Sequence, residues 1–156
     1  MGHDLGEGAY SRVRFARLIA KDLPQSLWPQ VAVKIQDRAV IAAQGYEENV
    51  KREISILKQS SHPAIVRFVG TFETPNSVFI ALEYMSRGDL QQVLAAKGSL
   101  SLPATRFVTA EIVTALQFLH SIRVVYGDLK PENVLLDDKD HAKLSDFGSS
   151  RIVDLE

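Results

Sequence analysis

The chain has 156 residues, 46% hydrophobic and 24% charged, with a net charge of −1. That is the composition of a globular chain long enough to bury a core, and it lacks the basic excess of a nucleic-acid surface. It holds no cysteine, which excludes structural disulfides and zinc–thiolate sites. No apolar run nears the ~20 residues of a membrane helix, and no basic start followed by an apolar stretch marks a secretory signal. Met1-Gly2 opens like an N-myristoylation site, but Gly6 stands where that site wants Ser or Thr. A cytoplasmic protein is expected.

In chain order, Leu5 to about Ile19 reads as two strands around a Gly-rich turn. Ala20 to Gln30 contains Pro24 and Pro29 and reads as a loop, with Trp28 as the side chain that pins it to the body. Val31 to Ile35 alternates, so Val31, Val33 and Ile35 face one way and Ala32 and Lys34 the other. From Ala42 to about Gln59 the period becomes helical, with Val50, Ile54 and Leu57 on one face. Ser61-His-Pro63 ends that helix, because a residue before proline disfavours the α region. Ile65–Phe72 and Val78–Leu82 read as strands around a turn at Thr74-Pro-Asn76.

Beyond Tyr84 a short linker, Met85-Ser-Arg-Gly88, leads into a helix at Asp89–Ala96. A longer helix runs from Pro103 to about Ser121, capped near Ser101, with Val108, Ile112, Ala115 and Leu119 on its buried stripe. Strands follow at Val134–Leu136 and Ala142–Leu144 around a turn at Asp137–Asp140. Strands with one helix, then helices with a small hairpin, predict an α+β fold of two lobes with a ligand cleft between them.

Four motifs carry chemistry. Gly6-Glu-Gly8-Ala-Tyr-Ser11-Arg-Val13 places glycines where a backbone can approach phosphates and offer N–H groups. By itself this pattern fits an ordinary glycine turn better. Val31-Ala-Val-Lys34 puts a small Ala32 and Lys34 on one strand face, room for a flat base beside a cation for phosphates. A lone strand lysine is more often simply solvated. Glu53 lies 19 residues on, one position from the apolar stripe, and can hold Lys34 in place. Glu47 and Glu48 are rivals on the same helix, and most helical glutamates are solvated.

The specific signal is Tyr126-Gly-Asp-Leu-Lys-Pro-Glu-Asn133 with Asp146-Phe-Gly148. Asp128 can accept a hydroxyl proton and Lys130 can offset charge on a moving phosphate. Asn133 and Asp146 are the hard oxygen ligands magnesium prefers. His120 and His141 are read as a helix end and a turn surface, without a role.

These motifs, in this order from Gly6 to Gly148, resemble the eukaryotic protein kinases. The finer likeness is to the AGC group and, through Thr105–His120 and Lys97-Gly-Ser99, to phosphoinositide-dependent protein kinases. The resemblance implies a two-lobe fold with residues 1–84 as the small lobe and 85–156 as linker and first part of the large lobe. It implies phosphoryl transfer from Mg·ATP to Ser or Thr of protein substrates, themselves kinases. Asp128 is then the catalytic base, with Lys130, Lys34 and Glu53 beside it, and Asn133 and Asp146 bind metal. The nucleotide is implied to lie against Leu5, Gly6, Glu7, Gly8, Ser11, Val13, Ala32, Lys34, Asp89, Glu132 and Leu135. Leu82 is the gatekeeper, and the Glu83 and Met85 backbones hold adenine. Val13 covers one face of the base, Leu135 forms its floor, and Asp89 approaches the ribose.

Gly127 departs from the family pattern, which has Arg there to bind a phosphate on the activation loop. Ile54 stands where relatives have an Arg serving a phosphate-docking pocket. The chain stops at Glu156, before an Ala-Pro-Glu motif and the later helices, so the helix at 103–121 is expected to expose an apolar face. The competing reading is a pseudokinase-like binding module. Such proteins usually lose the Lys, the catalytic Asp or the metal Asp, and all three are present here.

Overall fold

The computed structural model describes residues 2–7 and 11–153. Among these residues two compact units form, one within Met1–Glu48 and Phe68–Tyr84, the other within Asn49–Arg67 and Met85–Glu156. The class is α+β, as expected.

The first unit is a five-stranded antiparallel sheet. Its strands are β1 (Asp4–Glu7), β2 (Ser11–Arg17), β3 (Gln30–Asp37), β4 (Phe68–Glu73) and β5 (Ser77–Glu83), in the order β1-β2-β3-β5-β4. Alternation in β3 works as read: Val31, Val33 and Ile35 are buried with Ala81, and Ala16, Val69 and Phe79 pack against them. Thr74 closes the β4–β5 turn, its N–H donating to the Ser77 carbonyl at 2.9 Å. Trp28 is half-buried, and its indole N–H donates to the Leu23 carbonyl at 3.0 Å. That bond ties the loop to itself.

The single helix expected at 42–59 is two. Helix α1 (Arg38–Gln44) starts at Asp37, whose carboxylate accepts from the amides of Ala39 at 2.8 Å and Val40 at 3.2 Å. It ends at Gly45, with φ 65°, a left-handed stop that costs glycine little. Helix α2 (Glu47–Gln59) buries Val50, Glu53, Ile56 and Leu57 and leaves Ile54 half-buried. Its buried face is therefore turned from the expected stripe, toward the three-residue neighbours of Val50. The strand expected from Ile65 begins only at Phe68. Ile65 and Val66 instead join the second unit, Val66 donating to the Leu144 carbonyl at 3.0 Å and Leu144 to that of Ala64 at 2.9 Å. Both are 1% exposed, and a fully buried run carries no alternation to name its partner.

The second unit also holds α3 (Leu90–Lys97) and α4 (Leu102–Ser121), capped by Asp89 and Ser101. Val108, Ala115 and Leu119 of α4 are buried, Ile112 is half-buried, and Leu102, Phe107 and Val113 are exposed. Strand β6 (Val124–Val125) pairs with β9 (Arg151–Ile152), and β7 (Val134–Leu136) with β8 (Ala142–Leu144). The β6–β9 ladder was not expected, since two residues are too few to show a period. Glu111 of α4 accepts from the Ala142 amide at 2.7 Å and meets His141 Nδ1 at 2.6 Å, tying α4 to the β7–β8 hairpin. Among the described residues no helix is long and apolar enough to cross a membrane.

Candidate active site

In the first unit the register gathers four of the expected nucleotide residues on one sheet face. Val13 lies opposite Lys34, and Ala32 opposite Leu82, so alternation sets Val13, Ala32, Lys34 and Leu82 on the same side. All four are half-buried. Gly6 and Glu7 pair with Val13 and Arg12, while the register slips between Asp4 and Gly6, leaving Leu5 as an extra residue. Ser11 opens β2, opposite Gln36. Gly8 lies outside the described residues. Glu83, at the end of β5, pairs with Val31.

In the second unit two segments converge. Asn133 ends a 3-10 turn begun by Pro131 and Glu132, and is 6% exposed. Its Nδ2 donates to both the backbone carbonyl and Oδ2 of Asp128, each at 2.9 Å. Both partners are acceptors, so the amide nitrogen must face them, and its carbonyl oxygen is the atom left for a cation. Lys130 Nζ stands 2.9 Å from Asp128 Oδ2. Hydrogen bonding to Lys130 holds the Asp128 carboxyl below its usual range, with Asn133 adding to that and desolvation opposing it. The same contact raises Lys130. Asp128 is therefore an anion at neutral pH with one flank toward solvent, placed to accept a hydrogen bond from a hydroxyl.

Asp146 is exposed and adopts φ 53°, a left-handed conformation that Asp tolerates better than most residues. Its Oδ1 accepts a long bond, 3.3 Å, from the Gly148 amide. A Cβ on Gly148 would lie 3.8 Å from Glu53 Oε2, which brings the 4%-exposed Glu53 beside this turn. Ser145, just before Asp146, donates its N–H (2.9 Å) and its hydroxyl (3.1 Å) to the Asn133 carbonyl. The structure thus links Asp128 to Lys130 and Asn133 through side-chain bonds, and ties Asn133 to Ser145, the residue before Asp146. Asp89 and Leu135 form a bridge nearby, but both Asp89 oxygens are engaged, Oδ1 by the Gln92 amide (2.8 Å) and Oδ2 by its side chain (2.7 Å). Met85 is buried and Glu132 exposed.

Tyr126 has a part the sequence did not reveal. It is 2% exposed, its hydroxyl donates to the Ser145 carbonyl, and its ring meets Phe147 edge-on at 5.3 Å. Burial first, and then the charges of Asp146 and Asp128, push its hydroxyl far above the usual tyrosine range, so it remains a donor. Only its place two residues before Asp128 hinted at this. A groove of about 520 Å³ between α3 and α4, lined by Leu90, Val93, Phe107 and Leu136, contains none of the expected site residues.

Two oxygen donors, Asn133 and Asp146, suit magnesium, which keeps several waters and takes phosphate oxygens for the rest of its shell. Among the described residues no cluster of three or more His, Asp or Glu gathers as a protein-only metal cage.

The family model for the protein kinase domain matches residues 1–156. The chain is 36% identical over 153 residues to "SNF1-related protein kinase catalytic subunit alpha KIN12" of Arabidopsis thaliana, covering 98% of this chain and 30% of that protein. It is 34% identical over 155 residues to human "3-phosphoinositide-dependent protein kinase 1", covering 99% and 27%. "CBL-interacting protein kinase 31" of Oryza sativa subsp. japonica is 34% identical over 154 residues, covering 99% and 33%. The chain spans about a third or less of the length of these relatives. Their names span several kinase groups at similar identity, so the match reaches the protein kinase domain but singles out no subgroup.

Proposed function

The chain belongs to the protein kinase domain family, and from that membership we propose that it serves transfer of the ATP γ-phosphoryl group to serine or threonine hydroxyls of protein substrates. Residues 1–84 are read as the small lobe and 85–156 as linker and catalytic-loop part of the large lobe. The observation that carries this reading is the Asp128 carboxylate, held ionised by Lys130 and Asn133 in the loop bonded to the Asp146 turn.

Lys34 binds the phosphates and Glu53 fixes Lys34. The face bearing Val13, Ala32 and Leu82 receives the base, with Leu135 beneath it and the Glu83 and Met85 backbones at its edge. Leu5, Gly6, Glu7, Gly8 and Ser11 cover the phosphates. Asp128 orients the substrate hydroxyl and takes its proton, while Lys130 offsets charge on the transferring group. Asn133 and Asp146 hold magnesium, which when bound neutralises phosphate charge. Glu132 lies at the nucleotide's edge. Asp89 serves its helix first, so a ribose hydroxyl would share a carboxylate already bonded twice. Positioning and electrostatics carry the rate. A cytoplasmic place, kinase substrates and kinship with the AGC phosphoinositide-dependent enzymes complete the reading. The 34% identity to such a kinase supports that kinship, alongside equal likenesses elsewhere.

A nucleotide-binding regulator without transfer is the second reading, favoured by Gly127 where the family pattern has Arg. One experiment separates them. The chain is melted with and without Mg·ATP and assayed for transfer to a generic protein substrate. Mg·ATP is expected to raise the melting temperature. Asp128→Asn is expected to keep that rise and lose about 10²–10⁴-fold in transfer rate. Full transfer by Asp128→Asn overturns the assignment. Nucleotide stabilisation with no transfer by the wild-type chain favours the regulator.

A further inference from the structure

The segment after Asp146 lies antiparallel to the segment before Asp128. Val124 faces Ile152 and Val125 faces Arg151. Beyond β9, the Val153 amide donates to the Arg123 carbonyl at 2.9 Å. Carried the other way, this register sets Tyr126 opposite Ser150 and Gly127 opposite Ser149. There the backbone ladder stops, and a side chain continues it: the Ser150 hydroxyl donates to the Tyr126 carbonyl at 2.8 Å. Ser150 is 1% exposed, unusual for serine, and a buried hydroxyl is costly unless bonded. One step further the strands approach so closely that a Cβ on Gly127 would lie 2.8 Å from the Ser149 carbonyl oxygen. Gly127 also holds φ 85°, a left-handed conformation that favours glycine.

Asp146 thus sits between two clasped ends. On one side Ser145 bonds to the Asn133 carbonyl and receives the Tyr126 hydroxyl. On the other Ser150 bonds to the Tyr126 carbonyl, and its amide donates to the Phe147 carbonyl at 3.0 Å. Tyr126 binds both ends, with its hydroxyl and with its carbonyl. The turn between them contains a left-handed Asp, a conformation that persists when its surroundings over-determine it.

We infer that Ser150, seated by Gly127, is a positioning residue that holds the Asp146 carboxylate at the Asp128–Asn133 loop. The clasp uses only hydrogen bonds within this chain. Its metal-directed part rests on the reading of Asp146 as a ligand given above.

The test compares the wild-type chain, Ser150→Ala, and the control Ser121→Ala, whose exposed hydroxyl bonds only within its own helix end. Amide hydrogen exchange is read at Ser145 and Ser150, Mn²⁺ affinity is read in the presence of ATP by the free-ion paramagnetic signal, and ATP affinity is read without metal. Ser150→Ala is expected to speed exchange at both amides about tenfold. By loosening the turn that carries Asp146 it is expected to weaken Mn²⁺ binding up to about tenfold, with metal-free ATP affinity unchanged. Unchanged exchange at Ser145 overturns the clasp. Unchanged Mn²⁺ affinity, or equal losses of ATP with and without metal, overturns the positioning role. Gly127→Ala strikes the same contact from the facing strand, and is judged by the same outcomes if Ser150→Ala does not fold. If the wild-type chain binds no Mn²⁺·ATP, the functional reading fails instead, and exchange alone decides the clasp.

Discussion

Lys34 and Asp146 are held in opposite ways. Lys34 lies in the middle of β3, paired on one side with β2 and on the other with β5, and its strand buries Val31, Val33 and Ile35 on the reverse face. Its position is shared by many backbone bonds and a layer of aliphatic side chains. Asp146 lies on a turn in a left-handed conformation, between two serines whose hydroxyls each reach a single carbonyl. A sheet spreads the cost of losing one contact, whereas a loop concentrates it in one hydroxyl. The sheet residue should therefore respond to lost packing as part of a cooperative whole, and the loop residue to a lost hydrogen bond with little change in overall stability.

The largest break in that comparison comes from Ile35→Ala. Removing this buried side chain is expected to cost about 2–5 kcal/mol. A thermal melt should fall by several degrees, with Mn²⁺ affinity at saturating ATP unchanged in the folded fraction. Local loosening at low temperature without a lower melt would show that the sheet is no cooperative unit. Next comes Tyr126→Phe, which keeps the ring against Phe147 and removes the donor to the Ser145 carbonyl. Leaving that buried group unbonded is expected to cost about 1–3 kcal/mol. Its effect on metal binding should exceed its effect on the melt, the reverse of Ile35→Ala, and equal responses would erase the distinction.

A smaller effect is expected from Asp37→Ala at the start of α1, where one carboxylate accepts two amides. About 1 kcal/mol of stability should be lost, seen as fraying of residues 38–44 by hydrogen exchange, with β3 itself unaffected. The smallest is a pH effect at the other hairpin. The hydrogen bond to Glu111 raises His141, Asp137 adds to this, and Lys139 opposes it. A group raised in the folded state stabilises it fully below its unfolded value of ~6.5 and loses that contribution as pH rises through the higher folded value. The hairpin at 134–144 should thus be held slightly more firmly to α4 in mild acid. Glu111→Gln should remove this pH dependence, measured by exchange at Ala142, and a dependence that survives the change would assign it elsewhere.

Legibility followed the same division. The strand face bearing Lys34 was plain in the sequence because alternation is a local property with a fixed period of two. Asp128, Lys130 and Asn133 were plain because their spacing confines them to one short loop. Glu53 was singled out by its place one position from the expected apolar stripe, but its burial was not foreseen, since the α2 face turns on Ile56 rather than Ile54. The break at Gly45 was written in the chain as a glycine after a short helical run, and the long apolar period obscured it. Ile65 and Val66 looked like the start of β4 because a wholly apolar run names no partner.

By itself the sequence determined most of the element types, the sheet face that carries Lys34, and the order of chemistry-bearing residues from Gly6 to Gly148. These depend on local periodicity, on turn chemistry and on spacing within single loops. Only the tertiary structure decided that Tyr126 joins both ends of the Asp146 turn, that Ser150 is buried and bonded, and that Gly127 is where two backbones meet. Serine, glycine and tyrosine are found in surface turns as readily as in such a clasp, so their types do not announce the role. It arises from residues about 20 positions apart, brought opposite one another by a ladder of two residues a side.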